Sequence, residues 1–451
     1  MLVRKTLVAV TACLLIVLMS VPSQAGKGKP PPPPAAPKNI ILLIGDGMGP
    51  AEVSLGRLVD PDQKLFIDGM DPQPGAMTTN NVYGEVTDSA AAATALATGQ
   101  KTYNGAISVD VNNNPLETAW ERAELKGKST GILSSVFLTD ATPGVWTAHT
   151  ADRSDYTAIA MAEARRGVEV LLGAGEHYFL PNGADGTGGV DLVAEMQASG
   201  YELVRKDSEL LAAPAALGKL VGFFGGAGTM TYSLNRPIKE GLTEPTLAQM
   251  TSKAIEVLNR DSDGFFLVVE GGGIDWLGHK LDAAGVAADV AAFDAATNVA
   301  WQFAKTSGNT LVIATADHET GGLKLPSRLA SVNVSFLRGV RATTGIIWDD
   351  IQAAGSPITA SAITKSLQTY AGITPTKTEI ELIKSCDSGL GVADALSLRA
   401  GVSWSWGPCE GGHHTATKVP VYSFGPGAAT FDGTSLDNTD IGRYLLSALS
   451  R

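Results

Sequence analysis

Short runs of consecutive apolar residues alternate with stretches of helical character from residue 39 to the C-terminus. Apolar residues at consecutive positions, rather than at every second position, are typical of strands buried on both faces of a parallel sheet. Helices between such strands favour right-handed crossovers. The pattern therefore predicts a doubly wound α/β fold, with a mostly parallel sheet sandwiched by helices. The predicted strands are 39–45, 129–136, 168–173, 220–225, 264–270, 310–316 and 419–425, and the predicted helices are 89–98, 118–126, 156–165, 246–260, 283–305 and 440–449.

One long segment, residues 323–412, interrupts this alternation. It is richer in Ser, Thr and Gly than the rest of the chain and contains no long apolar run. We interpret it as a cap insertion between two strands of a single predicted domain, residues 39–451.

The N-terminus has the pattern of an export signal. A basic pair at residues 4–5 precedes the apolar run 7–21, and small residues suited to cleavage follow as far as Ala25. The run is shorter than the about 20 residues that span a bilayer, so we predict a cleaved signal peptide, residues 1–25, and no stable membrane span afterwards. The proline-rich stretch 26–38 is interpreted as an extended tether. The protein is thus expected to be exported, either periplasmic or secreted.

The composition and charge exclude two classes of protein. A hydrophobic fraction of 44% with 18% charged residues is enough for a large core, which excludes general disorder. The formal net charge of −12 argues against a nucleic-acid partner, which would require a basic face.

The mature chain would keep two cysteines, Cys386 and Cys409. An even number of cysteines in an exported protein favours a disulfide. Two buried free thiols are the alternative.

Acidic and imidazole side chains accompany the predicted strands. In open α/β sheets, functional residues collect at the carboxyl ends of the strands. Five strand-associated groups of these residues indicate a metal centre with several ions, because cations would balance the converging negative charge. The residues are Asp46, Asp140, Thr142, Glu270, Asp275, His279, Asp317, His318 and His414.

Residues 86–99, VTDSAAAATALATG, form a second distinctive feature. Ser89 begins an alanine-rich predicted helix, whose unpaired N–H groups and dipole favour an anion. A serine in this position, next to a metal that removes its proton, is a candidate nucleophile. The structural alternative is that Ser89 or Asp88 is only an N-cap.

The chain resembles the alkaline phosphatases over nearly all of its mature length. The resemblance implies hydrolysis of phosphate monoesters to alcohol and inorganic phosphate through a phosphoserine, with two zinc ions and one magnesium ion. It also implies a role in phosphate scavenging and allows a homodimer. The motifs that carry it are GDGMG, TDSAAAATALATG, DATPGVWTAHTADR, VEGGGIDWLGH, TADHETGG and HHTATKVPVYSFGPGA.

The resemblance also implies a role for each site residue. Ser89 would be the nucleophile beside the second zinc, and Arg153 would clamp two phosphate oxygens with its planar fork. Asp140 and Trp276 would lie near the phosphate and the magnesium, although some members of the family have Lys or His where this chain has Trp276. The proposed ligands are Asp275, His279 and His414 for the first zinc, Asp46, Asp317 and His318 for the second, and Thr142, Glu270 and the bridging Asp46 for magnesium.

Three other functions compete with this interpretation. A sulfatase of the same superfamily is disfavoured because Ala91 and Ala93 replace the residues of its nucleophile motif. A phosphodiesterase would usually lack the third metal site of Thr142 and Glu270. A secreted metal or phosphate binder would hold phosphate without turnover.

Overall fold

A twisted sheet of ten strands lies at the centre of the structure, a computed structural model that describes residues 36–181, 187–226, 229–386 and 388–450. The predicted signal peptide and residues 26–35 of the predicted tether lie outside the described residues. The strands are β1 (Asn39–Ile44), β2 (Gly75–Thr78), β3 (Ser129–Phe137), β4 (Val170–Ala174), β5 (Glu202–Val204), β6 (Leu220–Phe223), β7 (Phe265–Glu270), β8 (Thr310–Thr315), β9 (Glu319–Thr320), β10 (His414–Thr415), β11 (Val419–Phe424) and β12 (Ser435–Asp437).

The strand order of the large sheet is β12-β2-β11-β8-β1-β7-β3-β4-β6-β5. The seven strands from β8 to β5 are parallel to their neighbours, and β11 is antiparallel to both β8 and β2. Strands β9 and β10 form a separate antiparallel ribbon. The mostly parallel α/β architecture predicted from the sequence is therefore confirmed.

The central strands are buried along their whole length. Every residue of β1, β7 and β8 is buried, as the consecutive apolar runs predict for strands covered on both faces. All seven predicted strands are confirmed to within two residues. The short strands β2, β5 and β12 were not predicted.

Helices flank this sheet, and the six predicted helices correspond to α3, α4, α6, α9, α11 and α17. The helices of the described residues are α1 (Pro50–Val59), α2 (Phe66–Met70), α3 (Ser89–Thr98), α4 (Ala119–Leu125), α5 (Ala141–Gly144), α6 (Tyr156–Arg165), α7 (Leu192–Ala198), α8 (Asp207–Ala212), α9 (Leu247–Leu258), α10 (Gly273–His279), α11 (Ala283–Ser307), α12 (Val334–Gly339), α13 (Thr344–Ala353), α14 (Ala360–Ala371), α15 (Lys377–Cys386), α16 (Gly389–Ala400) and α17 (Asn438–Leu449).

The segment interpreted as a cap contains the five helices α12 to α16 and lies between β8 and β11 in the chain. Its two cysteines, Cys386 and Cys409, form a disulfide, which confirms that prediction over the alternative of free thiols. Among the residues that the structure describes, no helix combines the length and apolar character needed to cross a bilayer.

Candidate metal centre

The predicted site residues meet at one edge of the sheet, where four neighbouring strands end. Asp46 follows β1, Glu270 ends β7 and Asp317 follows β8, while Thr142 lies in α5 after β3. His414 precedes β11, but β11 runs antiparallel to its neighbours. Its first residues therefore lie at the same edge as the carboxyl ends of the parallel strands.

The first group of candidate ligands consists of Asp46, Asp317 and His318. Nε2 of His318 lies 3.5 Å from Oδ1 of Asp46 and 3.2 Å from Oδ2 of Asp317. The other oxygen of Asp317 accepts hydrogen bonds from the backbone N–H groups of Gly47 (3.2 Å) and His318 (2.9 Å). All three side chains are buried, and their atoms converge as a single cation would require.

The second group consists of Asp275, His279 and His414. Oδ1 of Asp275 lies 3.4 Å from Nε2 of His279 and 3.5 Å from Nε2 of His414, and the two imidazole nitrogens lie 3.1 Å apart. Asp275 and His279 are four residues apart on α10, so one helical turn brings them together. Each imidazole directs its Nδ1 to a backbone carbonyl oxygen, of Gly412 and Thr87 respectively.

The two groups are in contact with each other. The rings of His318 and His414 stack with their centroids 3.6 Å apart. Thr320, which the sequence analysis did not single out, connects the groups: its hydroxyl donates to Asp275 and lies 3.1 Å from Nδ1 of His318. In the sequence, Thr320 could have been identified as a site residue only from its position two residues after His318 in TADHETGG.

Thr142 and Glu270 lie on the other side of Asp46. The hydroxyl of Thr142 donates to Oδ2 of Asp46 at 3.2 Å, and both residues are buried. The carboxylate of Glu270 is fully buried and accepts a hydrogen bond from the hydroxyl of Ser134, a contact that sequence reasoning missed. These hydroxyl and carboxylate oxygens are the hard ligands that magnesium prefers.

Ser89 is the first residue of α3, and its Oγ lies 3.1 Å from Nε2 of His318. The N-cap is Asp88, whose Oδ1 accepts a hydrogen bond from the backbone N–H of Ala91 at 3.0 Å. The alternative role of helix N-cap therefore belongs to Asp88 and not to Ser89. Because its hydroxyl is not used for capping, Ser89 can face the two groups of candidate ligands.

Arg153 is oriented by two carboxylates. Its guanidinium donates to Oδ2 of Asp88 at 3.3 Å and to Oδ1 of Asp140 at 2.9 Å. Although burial opposes the charged form, Asp140 and Asp88 raise the pKa of Arg153 above its ordinary value, so the side chain remains a cation. Asp140 also caps the short helix α5.

Trp276 and His413 are adjacent in sequence to candidate ligands but contact other aromatic rings. The indole of Trp276 is half-buried and packs edge-on against Phe137, with centroids 5.4 Å apart. The ring of His413 packs against Trp406. The two ring nitrogens of His149 lie 2.8 Å from the carbonyl oxygen of Ser108 and 3.0 Å from Oε1 of Glu121, so this ring is engaged outside the two groups of candidate ligands.

Burial and the negative charge of neighbouring carboxylates raise the pKa values of three carboxyl groups in the site. Burial and repulsion from Asp317 raise the pKa of Asp46, and burial together with Asp140 raises that of Glu270. Burial and the charge of Asp275 raise the pKa of Asp317 to about 6.

The pKa values of His318 and of Asp275, which is surrounded by imidazoles, are lowered. Burial lowers the pKa of His318 well below its ordinary value, which keeps the ring neutral and able to bind a metal. Burial acts against ionisation of Asp275 as well, but its hydrogen bond to His414 and the neighbouring imidazoles hold its pKa below the ordinary value.

Three buried carboxylate oxygens at this edge accept no hydrogen bond from the residues that the structure describes. They are Oδ1 of Asp46, Oδ2 of Asp317 and Oε1 of Glu270. Buried polar atoms are ordinarily paired, and divalent cations would both pair these oxygens and favour their ionised forms. The donor set of carboxylates, imidazoles and hydroxyls therefore fits bound zinc and magnesium.

Comparison with known proteins agrees with this chemistry. The sequence model of the family described as alkaline phosphatase matches residues 37–451. Alkaline phosphatase 3 of Bacillus subtilis is 33% identical over 455 residues, covering 95% of this chain and 93% of the relative. The crystal structure of a cold-active alkaline phosphatase from a psychrophilic Shewanella has a TM-score of 0.79 at 29% identity, covering 92% of this chain and 100% of the other. A histidine-to-glutamate mutant of the alkaline phosphatase from the Antarctic bacterium TAB5, with Mg bound in its M3 site, has a TM-score of 0.67 at 27% identity, covering 92% of this chain and 99% of the other.

Proposed function

This chain belongs to the alkaline phosphatase family and hydrolyses phosphate monoesters, and we propose that it does so through a phosphoserine on Ser89, at a centre of two zinc ions and one magnesium ion. The observation that carries the proposal is the position of the Ser89 hydroxyl. It lies at the N-terminus of α3, 3.1 Å from Nε2 of His318.

The metal ligands of the proposal are those predicted from the sequence. Asp275, His279 and His414 would hold the first zinc, and Asp46, Asp317 and His318 the second. Thr142 and Glu270 would hold magnesium with Asp46 as the bridging ligand. The TAB5 mutant with Mg in its M3 site supports magnesium as one of the ions. Bound there, the ions would supply Lewis acidity that lowers the pKa of the Ser89 hydroxyl and of the attacking water.

The chain's own groups then account for substrate binding and attack. The N–H groups at the start of α3 and the fork of Arg153 would bind the phosphate oxygens. Oγ of Ser89 would attack phosphorus, and the bond from phosphorus to the alcohol oxygen would break, with the alcohol taking a proton. Water would then attack the phosphoserine, which releases inorganic phosphate and restores the serine hydroxyl.

Asp88 and Asp140 would prepare Arg153 for this role. Because both carboxylates hold the guanidinium, its fork has a defined orientation before substrate arrives. Pre-orientation lowers the entropy lost on binding. Asp140 and Trp276 remain proposed contacts of the phosphate surroundings.

We also propose that the reaction takes place outside the cytoplasm. The export pattern at residues 1–25 and the disulfide between Cys386 and Cys409 support an exported enzyme, periplasmic or secreted. Release of phosphate from small-molecule monoesters outside the cytoplasm would serve phosphate scavenging. A homodimer is compatible with the family.

The central experiment uses Ser89→Ala with Ser385→Ala, an exposed serine of the cap, as matched control. We expect Ser89→Ala to lose nearly all turnover but to keep zinc and phosphate binding, because the metal ligands are intact. Wild-type protein quenched at acidic pH should carry one covalent phosphate. Substantial activity in Ser89→Ala, with no phosphoenzyme trapped in the wild type, would contradict the phosphoserine.

Turnover of monoesters and diesters by the metal-loaded protein separates the remaining alternatives. A monoesterase should prefer the monoester strongly. Preference for the diester would favour a phosphodiesterase, and tight phosphate binding without turnover would indicate a binding protein.

A further inference from the structure

The last residues of the cap, together with His413, lead to the proposed metal centre, and we call this segment, residues 401–413, the cap arm. The arm runs from the end of α16 to β10 and ends one residue before His414. Near its start, Ser403 exchanges two backbone hydrogen bonds with Lys324, at 2.7 and 3.1 Å. The first half of the arm is therefore fixed against the segment that follows β9.

The far end of the cap arm holds His279. This residue is the last of α10, and its side chain is 39% exposed, compared with 15% for His414 and 0% for His318. Nδ1 of His279 donates to the carbonyl oxygen of Gly412 at 2.6 Å, and the backbone N–H of Gly412 donates to the carbonyl of His279 at 2.9 Å. With its proton on Nδ1, the ring keeps the Nε2 lone pair for a metal. The least buried of these imidazoles thus depends on Gly412 for its orientation.

Between these two ends, Cys409 anchors the cap arm to the helices of the cap. Its sulfur is bonded to Cys386 at the end of α15. Its backbone N–H donates to Oδ2 of Asp394 in α16 at 3.0 Å. Gly412 follows only three residues later, so the disulfide restricts the part of the arm that contacts His279.

We infer that the Cys386–Cys409 disulfide and Gly412 position His279, and thereby set how firmly the first zinc is retained. The inference rests on the proposed role of His279 as a zinc ligand. Groups that orient metal-binding imidazoles from outside the ligand set typically change metal affinity about 10- to 100-fold. Without the disulfide, this end of the arm would keep only backbone hydrogen bonds, such as the one from the N–H of Gly321 to the carbonyl oxygen of His413 at 2.9 Å. The carbonyl of Gly412 would then hold the ring of His279 less firmly.

The test compares zinc release from four metal-loaded proteins. They are the wild type, the double variant Cys386→Ser/Cys409→Ser, Gly412→Ala and the matched control Gly407→Ala. A Cβ at position 412 would lie 2.5 Å from the carbonyl oxygen of Gly278, which forces the arm away from His279. At position 407 the nearest atom would be a flexible Glu410 oxygen at 3.2 Å, so the control leaves the arm in place.

Release of zinc and magnesium to excess chelator is followed separately, at a temperature where circular dichroism shows every protein folded. We expect one of the two zinc equivalents to leave about 10-fold faster or more in the double variant and in Gly412→Ala. Magnesium release should be unchanged, since no hydrogen bond among the described residues joins the arm to its proposed ligands. The absorption spectrum of the Co²⁺-loaded protein should shift in the same two variants and not in Gly407→Ala.

The outcomes separate the inference from the proposed function. Equal zinc release from all four proteins would overturn the inference alone. Magnesium release accelerated to the same extent as zinc would also overturn it, because that result indicates general loosening. A wild-type protein that binds no zinc would instead overturn the proposed function.

Discussion

The unpaired carboxylate oxygens of Asp46 and Asp317 have different surroundings from those of Glu163. Asp46 and Asp317 each leave one oxygen unpaired, but those oxygens face imidazoles and other carboxylates at the edge of the sheet. Glu163 on α6 is also fully buried, and neither of its oxygens has a hydrogen-bond partner among the described residues. The first arrangement suits a cation, whereas the second suits only a neutral carboxyl group.

Replacing Glu163 should therefore stabilise the protein in a pH-dependent way. Burial raises the pKa of Glu163 well above its ordinary value. The unfolded chain then loses this proton at lower pH than the folded chain, so stability falls as pH rises above about 4.5. Because Gln folds without having to take up a proton, we expect Glu163→Gln to increase the free energy of unfolding by about 1–3 kcal/mol at pH 8 and by less at pH 5.

Urea denaturation at the two pH values measures this effect. Glu240→Gln, at an exposed position, is the matched control and should change little at either pH. An equal effect of Glu163→Gln at both pH values would show that the carboxyl group does not titrate differently on folding.

We expect the affinity for phosphate to be lower with Trp276 than it would be with a basic residue at the same position. An indole provides one N–H donor and no charge, so product should leave readily. We expect Trp276→Lys to tighten inhibition by phosphate by about 1 kcal/mol, a modest gain because the cation would be partly screened by solvent. The measurement is the inhibition constant for phosphate at matched metal content.

The edge-on contact of Trp276 with Phe137 provides the control for that experiment. Trp276→Phe retains an aromatic ring without adding charge, so its phosphate inhibition should resemble that of the wild type. If Trp276→Lys also leaves phosphate inhibition unchanged, Trp276 is only a packing residue.

At the scale of elements, α3 is held in place by a close approach to α17. All ten residues of α3 are buried, and small side chains let other helices come near its backbone. Gly442 of α17 lies against the end of α3, where a Cβ would collide with the carbonyl of Ala95, 2.5 Å away, and with the N–H of Gly99. The helix that carries Ser89 at its start is thus supported at its end by a glycine contact.

Gly442→Ala should accordingly destabilise the protein by about 1–3 kcal/mol, the usual effect of overpacking. Gly345→Ala on α13 is the matched control, because its Cβ would meet only a Thr343 oxygen at 3.9 Å. The control should be neutral or stabilise by up to about 1 kcal/mol, since alanine favours helix. Denaturant midpoints of the two variants check the difference, and equal midpoints would contradict the close approach.

At the scale of the whole molecule, the metal centre should contribute to stability as well as to catalysis. Its proposed ligands come from segments between residues 46 and 414, so bound ions would connect the sheet, α10 and the chain after the cap. Ions that bind only the folded state stabilise it by about 2.7 kcal/mol at 100 times their dissociation constant.

Removal of metal should therefore lower the melting temperature, and more so at pH 8 than at pH 6. Without cations, burial and crowding raise the pKa values of Asp46, Glu270 and Asp317, the last to about 6. Folding then opposes ionisation, so the metal-free protein loses stability as pH rises from the ordinary carboxyl range. Calorimetry with chelator, and then with zinc and magnesium restored, measures both effects. A melting temperature that is the same with and without chelator would contradict this role.

The sequence by itself determined the central strands, the helix that begins at Ser89 and the chemical character of the site. Strands such as β1 and β7 must be apolar at every position because both of their faces are covered, and that requirement is visible locally. The candidate ligands were recognisable because carboxylates and imidazoles follow such strands. The pairing of Cys386 with Cys409 was predicted from their number in a chain that the sequence indicates is exported.

The tertiary structure alone decided the relations between distant segments. The antiparallel direction of β11 brings His414 to the other candidate ligands, and no local pattern in its apolar run shows which direction the strand takes in the sheet. The short strands β2, β5 and β12 are too brief for a periodic signal. The contacts of Thr320 with Asp275 and of Gly412 with His279 join residues 45 and 133 positions apart. Such contacts depend on how the layers pack, and packing is a property of the whole fold.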